Sequence, residues 1–502
     1  MPGGAHSTAP EAVATLPWSD RMPPEADVAI VGGGFSGLMT LVHVLGLAPR
    51  ARIVLLERRP TRTPGVAYGA CDPAHLLNVP ADRMGATTAD VGGFHAWLER
   101  RMPGRFAPGA FAPRRLYGAY LLELVAARLA PERHRVCLVR DAVVHVEPAP
   151  EGFELLTASG RTCVARCTVL APGIPPGRAP WARSAAGAPR RLLRPDPWDA
   201  GAFEGVPAEA PVLIVGSGLT AIDVVLALRE RGHRGAVTMV SRNGKLPLPH
   251  AAAGEPAHRF ERAQLAGGPA RVLHAIRHAA RERTAAGLGW QGALDAVRPF
   301  TTEIWRAWSG EERQRFLRHA RPMWEVHRHR VPRDILARLE DARRAGLLDV
   351  VRGSLRALGA DGSGMVRAAI ALHGGGTRTL DVARVFNCIG PATSVRQTAD
   401  PLLRSLFASG MARSDAAGLG VHADDAGRVV SEGGTVDPRL FLVGALRRAD
   451  VWESTAVPEL RAQCEGVAHE VARILDAGEG AATAAPRGES DAHGTRVLEG
   501  CG

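Results

Sequence analysis

Asp27-Val-Ala-Ile-Val-Gly32-Gly-Gly34-Phe-Ser-Gly37 is matched, one domain further along, by Pro211-Val-Leu-Ile-Val-Gly216-Ser-Gly218-Leu-Thr-Ala221. Each copy is an apolar run closed by G-x-G-x-x-G/A and followed by a helical pattern. A single match of this kind is a weak sign, but two in the same local setting are a strong one. The first glycine permits a tight turn at the end of a strand. The second lets the backbone approach a pyrophosphate, and the third position allows close packing of helix on strand. The anion then sits at a helix N-terminus, where free N–H groups and the helix dipole favour negative charge. Gly32, Gly34, Phe35, Ser36 and Gly37 form the first loop. Gly216, Gly218 and Thr220 belong to the second, where Ala221 takes the third glycine's place. Two nucleotides bound side by side imply electron transfer between them.

The end of the next strand distinguishes the copies. After the first, Ile53-Val-Leu-Leu-Glu57 puts a carboxylate 25 residues beyond Gly32, where it can accept from ribose hydroxyls. After the second, Val237-Thr-Met-Val-Ser241 ends 25 residues beyond Gly216 in a serine, and Arg242 follows. A carboxylate would repel a 2′-phosphate, whereas serine and arginine would welcome one. The first site therefore suits FAD or NAD, and the second suits NADP.

Further stretches carry a family likeness. They are Pro64-Gly-Val-Ala-Tyr-Gly69, His75-Leu-Leu-Asn-Val-Pro-Ala-Asp-Arg-Met84, Ser241-Arg-Asn-Gly-Lys-Leu-Pro-Leu-Pro-His250, Phe386-Asn-Cys-Ile-Gly-Pro391 and Trp452-Glu-Ser-Thr-Ala-Val-Pro-Glu-Leu-Arg-Ala-Gln463. Over residues 26–475 the chain resembles a bacterial family of FAD/NAD(P)-binding proteins related to flavin-dependent N-hydroxylating monooxygenases, the L-aspartate N-monooxygenases among them. The resemblance implies that Gly32, Gly34, Gly37 and Glu57 hold the ADP half of FAD and that Asn78 lies near the flavin. It implies that Gly216, Gly218, Thr220 and Arg242 hold NADPH. It also implies that Gly444 and the segment with Trp452, Glu453 and Thr455 close over the flavin or its pyrophosphate. Two features depart from related flavoproteins. Pro172-Gly173 stands where Thr-Gly is common. Ala445 follows Gly444 where an aspartate is common, leaving Glu453 as the expected substitute.

The expected fold is α/β: a two-dinucleotide-binding-domain flavoprotein with a doubly wound, Rossmann-like FAD domain, an inserted NADP domain and a helical insertion. Residues 1–25, rich in proline and alanine, are expected to lack order. Residues 26–175 form the first FAD segment, 176–209 a connector, and 210–385 the NADP domain with the insertion over about 255–345. The chain returns to the FAD domain over 386–475 and ends in a flexible tail, 476–502. The insertion is rich in arginine and histidine and concentrates Trp290, Trp305, Trp308 and Trp324. It reads equally as a substrate-selecting cover or as a helical embellishment with a tryptophan core.

With 502 residues, of which 46% are hydrophobic, the chain can build two or three sizeable cores. No run approaches the length that spans a bilayer. No basic segment followed by an apolar one opens the chain, so no signal peptide is expected. Seven scattered cysteines do not form a secreted disulfide framework, and the expected setting is cytoplasmic. The net charge of +11 comes from arginine spread among acids, with Lys245 the only lysine, which argues against a nucleic-acid surface.

Cys163 and Cys167 are too far apart on one extended strand to bridge, so dithiol chemistry is not expected. His327 and His329, two apart, would face different sides of a helix and do not form a metal site. Their basic stretch, through Arg330, reads as a solvated turn or as an anion contact. His250 follows the NADP strand and could approach the nicotinamide. No catalytic side chain can be singled out, which suits an enzyme whose cofactor carries the chemistry. The expected activity is an FAD-dependent, NADPH-oxidising monooxygenase acting on a small molecule, with an amine nitrogen as first choice. A flavin reductase with an acceptor other than oxygen, or a nucleotide-binding regulator without turnover, are the alternatives.

Overall fold

The computed structural model describes residues 14–484 except 70, 71, 183, 186, 200, 253, 392 and 393, with side chains described as far as 477. The first segment contains β1 (Trp18–Ser19), β2 (Glu25–Val31), β3 (Ile53–Leu56), β4 (Val136–Val139), β5 (Val143–Ala149), β6 (Gly152–Thr157) and β7 (Thr162–Leu170). Helix α1 (Phe35–Leu47) links β2 to β3, and α2 (Gly93–Arg101) and α3 (Arg114–Leu129) lie between β3 and β4. The apolar runs of β2 and β3 are buried on both faces, as parallel strands require. Val28 and Ile30 enter one core while Ala29 and Val31 enter the other, the two-residue alternation of a strand between two layers.

The chain then builds a second sheet from β8 (Leu193–Arg194), β9 (Val212–Val215), β10 (Val237–Ser241), β11 (Leu348–Ala360), β12 (Val366–Leu372), β13 (Thr377–Val382) and β14 (Arg384–Asn387). Helix α4 (Leu219–Glu230) joins β9 to β10. Between β10 and β11 come α5 (Pro269–Ala285), α6 (Gln291–Val297), α7 (Thr301–Ala307), α8 (Gly310–His319), α9 (Arg321–Arg328) and α10 (Arg333–Arg344). The last segment holds α11 (Pro401–Ala408), β15 (Arg428–Val430), β16 (Val436–Leu442) and α12 (Val457–Ala484).

The first sheet runs β1-β4-β3-β2-β7-β16-β15, with the β5–β6 hairpin attached to β7, and the second runs β13-β12-β11-β10-β9-β14-β8. The strands around β2 and around β9 are parallel, while β11, β12 and β13 form an antiparallel meander. In each sheet the chain leaves the glycine strand toward one side and later returns on the other, β7 beside β2 and β14 beside β9. These are the switch points where open α/β sheets form crevices for ligands.

The structure corrects several expected boundaries. Within 1–25, residues from 14 onward are described, and Trp18–Ser19 pairs in parallel with β4, so this part is tied to the sheet; residues 1–13 lie outside the described residues. The segment from Phe386 does not begin the return to the first sheet. Arg384–Asn387 pairs with β9 in the second, and the return comes with β15 and β16. The insertion ends before α10, whose Ile335 and Leu339 pack in the core beneath the second sheet and make it the crossover helix from β10 to β11. Helix α12 continues through Ala484, past the expected start of the tail at 476, and the rest of that tail lies outside the described residues.

Candidate cofactor and substrate site

Each glycine loop is built against the end of the strand beside it. A Cβ on Gly32 would lie 2.3 Å from the Ala171 carbonyl oxygen just beyond β7, and one on Gly216 would lie 2.1 Å from that of Cys388 just beyond β14. Both glycines also have positive φ, 111° and 123°. Gly37 packs the first turn of α1 onto the loop, with only 1.8 Å between an added Cβ and the Gly32 oxygen. In the second copy Ala221 fits the same position fully buried, so that loop is wider. The middle positions are different. An added Cβ on Gly34 meets nothing closer than Gly65 at 3.8 Å, and one on Gly218 meets nothing within 4 Å. These two glycines leave room beside helix N-termini, the cradle a pyrophosphate needs.

Glu57 reaches the first loop, where its carboxylate accepts the Gly33 N–H at 2.6 Å and the Arg59 N–H at 2.7 Å. The ring of Trp18 closes on the same glycine, 3.2 Å from where a Cβ would stand. At the matching point of the second sheet Ser241 takes a hydrogen bond from the Ser217 hydroxyl at 2.8 Å and from the Gly244 N–H at 3.1 Å. Arg242 and Lys245 stand beside it, both exposed, and neither side chain has a partner among the described residues. Lys245 was not singled out from sequence; its place at the same strand end as Arg242 was the available signal.

The late segment returns to the first loop at Gly444. A Cβ there would lie 3.0 Å from Ser36 Oγ, and its N–H donates to Gln463 Oε1 at 3.1 Å. The Gln463 amide nitrogen is buried without a partner, a free donor beside the cradle. It, rather than Glu453, is the polar group at Gly444. Phe35 is buried against Tyr117, and Thr220 is half-buried in the first turn of α4.

Trp452, Glu453 and Thr455 follow the turn after Gly444. The Trp452 ring stacks on Trp305 of α7 with centroids 4.8 Å apart, within a cluster that includes Trp308 and Phe316. Trp305 Nε1 donates to the Ala449 carbonyl at 2.9 Å. Glu453 is buried and lies 3.0 Å from Arg328 Nη2 at the end of α9. Thr455 is exposed. A bidentate Arg298–Glu459 pair, at 2.6 and 2.8 Å, adds to the clamp. The insertion is therefore docked on the last segment by an aromatic stack and two ion pairs, and Trp305 and Trp308 are part of its core. The reading of the 327–330 stretch as a solvated turn fails, because Arg330 is 5% exposed and pairs with Asp295.

His250, in the loop after β10, reaches two loops of the first segment. Its Nε2 hydrogen-bonds the Asn78 carbonyl oxygen at 3.0 Å, and its ring packs on Phe111 with centroids 4.7 Å apart. Burial, with the Arg330 cation adding to it, pushes its pKa from 6.5 down to about 4. The imidazole is thus neutral in the folded protein at pH values where the unfolded chain is protonated. Stability from this group is complete above pH 6.5 and is lost as the pH falls toward 4. A His250→Asn variant is expected to show a shallower fall of Tm with acid over that window, measured by thermal melts at closely spaced pH. An unchanged slope would remove His250 from the account.

Residues 29–175, the first glycine loop and its sheet, match the model of an FAD-NAD(P)-binding family. This segment is an FAD-NAD(P)-binding domain. The whole chain is similar in fold to the ornithine N-hydroxylase of Kutzneria sp. 744, with 18% identity over 90% of this chain and 100% of that one and a TM-score of 0.61. It is also similar to the FAD-bound cadaverine monooxygenase of desferrioxamine biosynthesis from Erwinia amylovora, with 11% identity over 89% and 94% of the two chains and a TM-score of 0.61. The thioredoxin reductase of Lactococcus lactis follows at 13% identity, 90% and 99% coverage and a TM-score of 0.51. No curated protein matches the chain in sequence. These likenesses show the two-dinucleotide-binding-domain flavoprotein fold, and within it β16, the strand before Gly444, pairs with β7 of the first sheet.

Proposed function

We propose that the chain is an FAD-dependent, NADPH-oxidising monooxygenase that hydroxylates the nitrogen of a small amine or amino acid. The observation that carries this reading is the pair of open glycine cradles, Gly34 and Gly218, each at a switch point and each with a different strand-end partner. Gly32, Gly34, Phe35, Ser36, Gly37 and Glu57 would hold the ADP half of FAD, with Gly444 and Gln463 closing the loop. Gly216, Gly218 and Thr220 would hold the NADPH pyrophosphate, and Arg242 with Lys245 the 2′-phosphate. Bound flavin supplies hydride acceptance and oxygen activation.

The residues of the chain do the remaining work. Asn78 and His250 meet where a loop of the first segment touches the loop after β10, and the neutral imidazole brings no charge there. The docked insertion would serve to keep water from the reacting atoms, which favours oxygen transfer over its wasteful loss. Overall, NADPH, a proton, O₂ and R–NH₂ give NADP⁺, water and R–NHOH. The same features speak against a disulfide reductase. Cys163 and Cys167 lie on the extended β7, and burial pushes their thiols up to about 11 and about 12, far from thiolate chemistry. A reducing, cytoplasmic setting goes with this reading, since the five described cysteines are all free. Among the described residues no helix is long and apolar enough to cross a membrane.

The test is anaerobic titration of the yellow holoprotein with NADPH, followed by oxygen and a panel of amines and amino acids. Bleaching by NADPH and substrate-dependent hydroxylamine formation are expected. Flavin that NADPH does not reduce, or reduction that never yields an oxygenated product, would overturn the assignment.

A further inference from the structure

The short strand ahead of the first glycine loop carries an aromatic ring that reaches that loop. Leu16 and Trp18, two residues apart, both pack against the core that contains α1, as alternate residues of an extended segment do. Strand β1 seats Trp18 beside Leu138 and Ser19 beside Val139 at the end of β4. The Ser19 carbonyl accepts the Arg140 N–H at 2.9 Å, and the Val139 carbonyl accepts the Glu57 N–H at 3.0 Å. Trp18 and Glu57 are thus both fixed by the end of one strand. They meet at Gly33, where an added Cβ would lie 3.1 Å from the Glu57 Cβ and 3.2 Å from the Trp18 Cη2. The second loop has Ser217 at the matching position, and its hydroxyl binds Ser241. In the first loop a side chain would crowd both neighbours, so the glycine makes room for the ring.

This corner is the one that the ribose of the first nucleotide would reach. Each Glu57 oxygen takes one backbone N–H, from Gly33 and from Arg59, and keeps a lone pair for a ribose hydroxyl. An adenine joined to that ribose must lie by the same strand ends. Trp18 is only partly buried, and its ring has no aromatic partner and its indole N–H no acceptor among the described residues. An aromatic ring of this kind suits the flat face of a base, whichever base it is. The residues that match the FAD-NAD(P)-binding family begin at 29, so Trp18 lies ahead of them.

We propose that Trp18 forms one wall of the adenosine pocket of the first nucleotide site, which makes the N-terminal strand part of the FAD cradle. This rests on the assignment of that cradle to FAD and adds to it a residue outside both glycine motifs. Glu57 would hold the ribose by hydrogen bonds, and Trp18 would cover the apolar surface of the adenosine.

The experiment uses the full chain, purified with FAD and then freed of it, with saturating NADP⁺ filling the second site. FAD and ADP are titrated by calorimetry into the wild type, Trp18→Ala and Trp18→Phe. Trp18→Ala is expected to weaken both ligands by about five- to a hundredfold, the range for one contact between an aromatic ring and a base. It should leave the affinity for NADP⁺ unchanged, and Trp18→Phe should recover most of the loss. ADP should also alter the tryptophan emission of the wild type, and Trp18→Phe should lose that change. Unaltered FAD and ADP affinities in Trp18→Ala would overturn the proposal and leave the ring as a cap on the core. So would an equal weakening of NADP⁺, or an ADP-dependent emission change that persists in Trp18→Phe. Should Trp18→Ala fail to fold, the emission of the wild type against Trp18→Phe decides the matter. The cradle itself is read by Gly34→Val. Loss of FAD there with full binding by Trp18→Ala would sink the role of Trp18 alone, whereas full flavin in Gly34→Val would sink the assignment on which it rests.

Discussion

Gly34→Val is expected to purify folded and colourless. Gly34 has extended backbone, φ −76° and ψ −178°, which any residue adopts. Its added atoms would meet no protein atom closer than Gly65 at 3.8 Å, so the side chain would grow into the cradle and not into the core. Valine at a helix N-cap costs about 1 kcal/mol or less relative to glycine, which a domain of this size absorbs. The loss falls on the ligand. Two or more backbone hydrogen bonds to a pyrophosphate would be blocked, each worth about 1.5–3 kcal/mol. FAD affinity should therefore drop by roughly a hundredfold to ten-thousandfold. Circular dichroism would report the fold, and the ratio of flavin to protein absorbance after incubation with excess FAD would report binding. Gly37→Val is the contrasting variant. Its Cβ would collide with the Gly32 oxygen at 1.8 Å, so it should fail to fold. A folded Gly34→Val protein carrying full flavin would sink the assignment of this loop.

Arg242→Ala should reduce the preference for NADPH over NADH by about ten- to a hundredfold, and adding Lys245→Ala should nearly abolish it. Both cations are exposed and unpaired among the described residues, so their removal breaks no internal contact. Ser241 is held by Ser217 and Gly244 and is unaffected. Only NADPH should weaken, because NADH lacks the 2′-phosphate. Stopped-flow reduction of the bound flavin by each cofactor measures the effect. A wild type reduced equally by both would refute the NADP assignment. The two cradles would stand, since the pyrophosphate is common to both nucleotides.

The sites that were legible in the sequence are those set by local geometry. Strand, turn and helix lie within eleven residues of Asp27 and of Pro211, and a fixed crossover length carries the chain to Glu57 and to Ser241. Glu57 and Ser241 accordingly occupy equivalent positions against the two loops. What stayed hidden depended on long-range pairing. The short apolar run at Val385 carries no mark of its sheet; its partners are Leu213 and Leu193, far back in the chain. Trp452 and Glu453 were recognised as a motif, but their partners Trp305 and Arg328 come from the insertion, and a motif does not say what it faces. The buried Arg447 and Arg448 went unnoticed although the pair interrupts a strongly apolar stretch from Leu440 to Ala449, which is itself a sign of buried charge. Ion pairs across the molecule, such as Arg114–Asp223 at 2.9 Å between α3 and α4, had no sequence signature in a chain so rich in arginine.

That richness has a practical side at the second glycine strand. Arginine has displaced lysine everywhere except at Lys245, which is exposed at the end of β10. Apart from the chain's α-amino group, an amine-selective reagent has one address on the whole molecule. A fluorophore or cross-linker attached there would report from the mouth of the second nucleotide crevice without any engineered handle.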